Sequence, residues 1–139
     1  MEGVSSTLSF TGALLFLLGL LTGFGIPMFR SPRIGVSAHL DAIESGLGLI
    51  AFGLLIPHLT ISLGWASLIA HTMWISLYLL WLGLLFGAAY GTGRTIPIAG
   101  AGVSAEPWQE NIARIAISIG SLGAVVAVAA LLVQWRWIA

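Results

Sequence analysis

The stretch Leu63-Gly-Trp-Ala-Ser-Leu-Ile-Ala-His-Thr-Met-Trp-Ile-Ser-Leu-Tyr-Leu-Leu-Trp-Leu-Gly-Leu-Leu-Phe-Gly-Ala-Ala-Tyr90 contains no aspartate, glutamate, lysine or arginine. A helix needs roughly 20 mainly apolar residues to cross a bilayer, and this run exceeds that. It does not alternate as a barrel strand must, so helix is the reading. Three further stretches qualify: about Leu8 to Phe29, about Gly35 to Ile56, which ends before Pro57-His58, and about Asn111 to Val133. The expected fold is therefore all-α: an integral membrane four-helix bundle forming one domain over residues 1–139. The first span is not read as a signal peptide, because no cationic side chain precedes it and its apolar run is long for that role.

Composition agrees. Of the 139 residues, 58% are hydrophobic and only 7% charged, whereas soluble domains average about 25% charged residues. Five arginines, no lysine and five acids leave a net charge of zero and no basic stripe, which excludes a nucleic-acid binder. With no cysteine, thiolate metal sites, iron–sulfur clusters and covalent c-type haem are excluded as well.

Arg30, Arg33, Arg94 and Arg114 fall on one side of a four-span chain and Arg136 on the other. The positive-inside rule then places the first and third loops in the cytoplasm and both termini outside, in a multi-pass protein of the cytoplasmic membrane. Trp108, Trp135 and Trp137 flank the fourth helix as interfacial anchors. Pro107 suits a first helical turn.

Glycines recur at helical spacing: Gly19/Gly23, Gly46/Gly53, Gly83/Gly87, and Gly120 with Ala116. Small residues let membrane helices approach closely. They fit tight packing, or room for a flat cofactor.

Polar groups at membrane depth are expensive and default to functional hypotheses. In helix two, Asp41, Glu44, Ser45 and Gly48 share one face, while His39, Ala42, Ile43, Gly46 and Gly53 share another. A neutral His39 imidazole fits either an interfacial hydrogen bond or a haem-iron ligand, with Ala42 and Gly46 leaving space for the macrocycle. Asp41 and Glu44 are expected to pair with the arginines at the same membrane side. In helix three, Trp74, Tyr78 and Trp81 form one aromatic face. Tyr78 lies near mid-membrane at the depth of Ser45, and its hydroxyl needs a partner or can donate to a ligand. His71 lies roughly 15–20 Å deeper than His39 by helical rise, which argues against one haem taking both histidines of a chain. His58 reads as a solvated turn residue.

The segment Gly25-Ile-Pro-Met-Phe-Arg-Ser-Pro-Arg33, followed by Gly35-Val-Ser-Ala-His39-Leu-Asp-Ala-Ile-Glu-Ser-Gly46, resembles the styrene oxide isomerase / hydroxylaminobenzene mutase family. That family shows a Pro-Arg, an Ala-His-Leu-acid start to helix two, and an Asn-Gly six residues after the histidine. Tyr78-Leu-Leu-Trp81 resembles its Tyr-Ala-Asn-Trp element. Tyr90-Gly-Thr-Gly-Arg-Thr-Ile-Pro-Ile-Ala-Gly100 resembles its third loop, and Trp108-Gln-Glu110 the opening of its helix four. Two positions depart from the pattern: Ser45 and Leu80 each stand where the family has asparagine.

The resemblance implies a homotrimeric membrane enzyme with haem b between subunits. His39 matches the axial iron ligand, and Tyr78 and Ser45 match pocket residues. The expected site is then His39 with Ala42 and Gly46 for the cofactor, Tyr78 and Ser45 for catalysis, and Trp74, Trp81 and Leu80 around a small apolar aromatic substrate. The implied reaction is a redox-neutral rearrangement of an epoxide to a carbonyl compound by Lewis-acid ring opening and a 1,2-shift. The alternatives are an arylhydroxylamine mutase giving aminophenols, a non-catalytic haem protein acting as sensor or electron carrier, and an ion pathway through Asp41 and Glu44.

Overall fold

In the computed structural model, which describes residues 1–135, four long helices follow one another: α1 (Glu2–Gly25), α2 (Pro32–Leu55), α3 (Leu63–Tyr90) and α4 (Pro107–Val133). Arg136 and Trp137, read as an outer charge and an outer anchor, lie outside the described residues. One-turn 3-10 helices, Ile26–Met28 and Ile56–His58, extend the first two helices, each with its proline in the first turn. All four helices are long and apolar enough to cross a membrane. The all-α membrane architecture is thus present, and the third span agrees with the expectation to the residue.

The other helices start earlier than the apolar runs suggest. α1 begins at Glu2 rather than near Leu8, because its hydroxyl residues bond within the bundle. Thr7 Oγ1 donates to the Gly3 carbonyl, Thr11 Oγ1 to that of Thr7, and Ser5 Oγ reaches across to Gly53 at 2.6 Å. Pro32 at the first turn opens α2 before Gly35, since a missing N–H costs nothing there. A reciprocal capping box between Glu106 and Gln109 starts α4 before Asn111.

The helices pack as two tight antiparallel pairs, α1 with α2 and α3 with α4. The pairs join through α3, which lies against α2 and more lightly against α1, while α4 packs chiefly on α3. Both pair seams are built from small residues. A Cβ at Gly12 would stand 2.7 Å from the Gly46 carbonyl oxygen, and one at Gly46 would stand 2.7 Å from the Phe16 nitrogen. A Cβ at Gly83 would meet Ala116 Cβ at 3.0 Å, and one at Gly120 the Leu80 nitrogen at 2.6 Å. Backbones this close leave no room for a side chain, so dispersion between the main chains holds the seams where lipid removes any hydrophobic driving force. Ile112, Ile115, Ile119 and Leu122 of α4 stay exposed, as suits a surface facing hydrocarbon.

The loops at the arginine-bearing end are ordered by specific bonds. Gly91 ends α3 in the left-handed region, φ 74°, where its lack of a Cβ removes the steric cost. The Ser31 N–H donates to the Ala88 carbonyl at 3.0 Å, tying the first loop to the foot of α3. The Glu110 carboxylate holds the third loop. It accepts from the backbone N–H groups of Arg94, Thr95 and Ala105 and from Thr95 Oγ1 at 2.7 Å. Glu110 is only 7% exposed, so this acid is the clamp between loop and helix rather than the edge charge its position in the chain suggests.

Candidate functional site

α1 serves as a ruler for the polar groups of the other helices. His39 of α2 lies against its lower half: Nδ1 is 2.7 Å from the Gly19 carbonyl oxygen. Two turns away, Gly46 meets Gly12 and Phe16, which sets the neighbouring Ser45 at the same level. The Tyr78 hydroxyl of α3 donates to the Thr11 carbonyl at 2.8 Å. Ser45 and Tyr78 therefore do share a depth. His39 is anchored eight residues further along α1, about 12 Å at a rise of ~1.5 Å per residue.

The bond to Gly19 has a chemical consequence. A carbonyl can only accept, so Nδ1 carries the proton of this bond, and in the neutral tautomer that makes it the lone pair lies on Nε2. His39 is half-buried and Nε2 makes no hydrogen bond among the described residues. This is the orientation of a metal-ligating imidazole, whose second nitrogen is held by a backbone carbonyl. No group of three or more metal-binding side chains occurs among the described residues, so any metal here would take at most two such ligands from the described residues of one chain.

The slot expected beside His39 is closed. Ala42 is fully buried, and Gly19 faces it so closely that a Cβ would lie 2.9 Å from the Ala42 methyl. Gly46 is filled by the α1 backbone. Ala42 and Gly46 are thus seam residues, and the space between α1 and α2 beside them is taken by main chain. Helical spacing alone does not separate the two roles, because a glycine that admits a cofactor and one that admits a neighbouring backbone look the same.

Among the described residues, the expected ion-pair cluster is also absent. Asp41 Oδ2 is buried without a hydrogen-bond partner. The arginines turn elsewhere: the Arg30 stem lies against Gly91, and Arg114 donates to Asn111. Glu44 is exposed on the outer side of α2, about 18 Å along the helix from Pro32 by helical rise.

The aromatic face of α3 forms a ladder. Trp74 and Tyr78 meet edge-on with centroids 5.9 Å apart, and Tyr78 and Trp81 do so at 6.4 Å. His71 continues the series at 6.4 Å from Trp74. The Nε1 atoms of Trp74 and Trp81 are both buried without an acceptor, an arrangement that costs about 1–3 kcal/mol each unless something accepts the proton. Leu80 lies off this face, its backbone against Gly120 of α4. The structure therefore gathers Trp74, Tyr78 and Trp81, with Ser45 at their level, and leaves Leu80 on the far side. Among the described residues, no ring contact joins His39 to the ladder. An apolar cavity of about 370 Å³ opens elsewhere, between α3 and α4, lined by Leu82, Gly83, Phe86 and Ala116 among others.

Sequence reasoning missed three features. The contact between Gly23 and the His39 ring carries no local signal. The unpartnered indoles depend on what packs around them. The Glu110 clamp was foreshadowed only by an acid placed after a glycine-rich loop.

Comparison with known proteins shows the family. The sequence model of the styrene oxide isomerase family matches residues 4–136. Hydroxylaminobenzene mutase HabB of Ectopseudomonas oleovorans is 38% identical over 125 residues, covering 89% of this chain and 75% of that protein. Hydroxylaminobenzene mutase HabA of the same organism is 37% identical over 106 residues, covering 73% of this chain and 76% of that protein. No solved structure matches. A family match over nearly the whole chain, with two mutases as relatives, makes this four-helix protein an isomerase, and it belongs to the styrene oxide isomerase family.

Proposed function

We propose that the protein is a haem-dependent isomerase of the cytoplasmic membrane that rearranges a small apolar aromatic epoxide to a carbonyl compound. The observation that carries the reading is the His39 imidazole, with Nδ1 committed to the Gly19 carbonyl and Nε2 open. Haem b held by His39 would supply a Lewis-acidic iron with a free coordination position.

The remaining roles belong to the chain. The edges of Trp74, Tyr78 and Trp81 suit an aromatic ring, and their indole N–H groups are donors in search of an acceptor such as a substrate oxygen. The Tyr78 hydroxyl already donates to the Thr11 carbonyl, so its oxygen serves as an acceptor while the indoles take over the donor role expected of it. Ser45 adds a hydroxyl at the same depth. Apolar walls exclude water, which would otherwise hydrate the epoxide. Substrate and product are isomers: one C–O bond breaks, a hydride moves to the adjacent carbon, and a carbonyl forms. Neither water nor a redox equivalent is consumed.

A homotrimer is part of the proposal. An exposed Glu44 within an apolar span is costly against lipid, and a second copy relieves that cost. With four arginines at one end, the termini are assigned to the outside.

A second reading, arylhydroxylamine to aminophenol, is favoured by the names of the two relatives. Protein produced with haem precursor and purified in detergent tests both. A Soret band with conversion of styrene oxide to phenylacetaldehyde supports the first reading. The same band with aminophenol from phenylhydroxylamine, and no aldehyde, supports the second. Colourless protein rejects haem dependence.

A further inference from the structure

Gly23, near the C-terminal end of α1, differs from the glycines of the seam. For Gly12 and Gly46, the nearest atoms to an added Cβ include backbone of the other helix. For Gly23, the three nearest are all atoms of the His39 ring: Nδ1 at 2.9 Å, Cε1 at 3.0 Å and Cγ at 3.6 Å. Gly23 stands one helical turn after Gly19, whose carbonyl is the ring's partner. Helical side chains lean toward the N-terminus, so a side chain at position 23 would overhang the turn that carries the Gly19 carbonyl. That carbonyl already receives the helix bond from position 23, and a second donor can approach it only from the side.

We propose that Gly19 and Gly23 are positioning residues for His39: Gly19 supplies the carbonyl that keeps the proton on Nδ1, and the bare Cα of Gly23 opens the side approach to it. Together they select Nε2 as the nitrogen that faces away from α1. The inference rests on the haem reading for what Nε2 binds. The choice of tautomer stands without it.

Two measurements keep these separate. In protein labelled with ¹⁵N-histidine, in a His71→Gln background that removes the other ring held by a carbonyl, His39 is expected to carry its proton on Nδ1. Gly23→Ala is expected to abolish that signature. Gly83→Ala is the control, since its Cβ meets atoms of Ile117 and Ala116 in α4, the nearest at the same 2.9 Å, and none of His39, and it should keep the signature. In parallel, haem titration followed by the Soret band should show affinity lowered ~10–100-fold in Gly23→Ala, the usual effect of losing a partner that orients a metal ligand. Gly83→Ala should bind haem within about twofold of the parent, far inside that range. An Nε2-protonated His39 in the parent protein overturns the proposal outright, with no variant needed. So does a Gly23→Ala variant that matches Gly83→Ala in both measurements. If the parent takes up no haem, the haem reading fails and the tautomer measurement still decides the role of the glycines.

Discussion

The α1/α2 seam and the N-terminal half of α3 each hold a histidine whose Nδ1 meets a backbone carbonyl, at 2.7 Å for His39 and 2.8 Å for His71. They differ in whose carbonyl it is. His71 bonds to Ser67, one turn back on its own helix, and is exposed. Such a bond forms in any helix with that sequence and moves freely with it. His39 bonds to a different helix, across a seam where main chains touch. Its ring is therefore fixed relative to two helices at once, which is the rigidity a cofactor ligand needs. One geometry is a local habit of histidine and the other is a built position.

The largest expected difference follows directly. His39→Gln should remove the Soret band and the isomerase activity together, while His71→Gln should leave both near the parent level; loss of the band in His71→Gln alone would reverse the assignment. Next in size is the seam itself. Gly46→Ala drives a Cβ to 2.7 Å from the Phe16 nitrogen, and overpacking of this kind costs about 1–3 kcal/mol. Gly48→Ala, two residues on with open space around it, should be neutral or gain up to about 1 kcal/mol from helix propensity. Thermal unfolding in detergent reads the pair, and equal shifts would mean that the seam is not under this constraint.

Tyr78→Phe removes one bond to the Thr11 carbonyl, worth about 0.5–1.5 kcal/mol. Its effect on turnover should be smaller than that of Trp81→Phe, which deletes an unpartnered donor; product formation under saturating substrate compares them. At the loop end, Glu110→Gln keeps the shape but weakens four accepted bonds. It should cost roughly 1–3 kcal/mol and speed amide exchange across residues 94–105, while leaving His39 untouched. The smallest effect is that of His71→Gln on stability, within about 0.5 kcal/mol as for an exposed site.

Much of this was legible in the chain. Leu63 to Tyr90 announced α3 because an uncharged run of that length has one stable form in lipid. The first turns of α2 and α4 were less legible to hydropathy alone, since Pro32 and the Glu106–Gln109 box act through capping rather than through apolar character. The aromatic face was readable because 3.6-residue periodicity places Trp74, Tyr78 and Trp81 together. Leu80 was drawn toward the site by its place in a motif, yet it is two residues from Tyr78 and so points to the other side of α3, toward Gly120. The ion pairs expected of Asp41 and Glu44 followed from sharing an end with four arginines, and that proximity in depth says nothing about direction around a helix axis.

By itself the sequence determined that the chain is four helices in a membrane, because a backbone in hydrocarbon must satisfy its own N–H and C=O groups and only helix does so within one segment. Only the tertiary structure decided that Gly46 admits the α1 backbone, that the Tyr78 hydroxyl donates to the Thr11 carbonyl, and that Gly23 admits an imidazole. Each of those depends on the register between helices, a distance set across a seam, and no residue's own chemistry contains it.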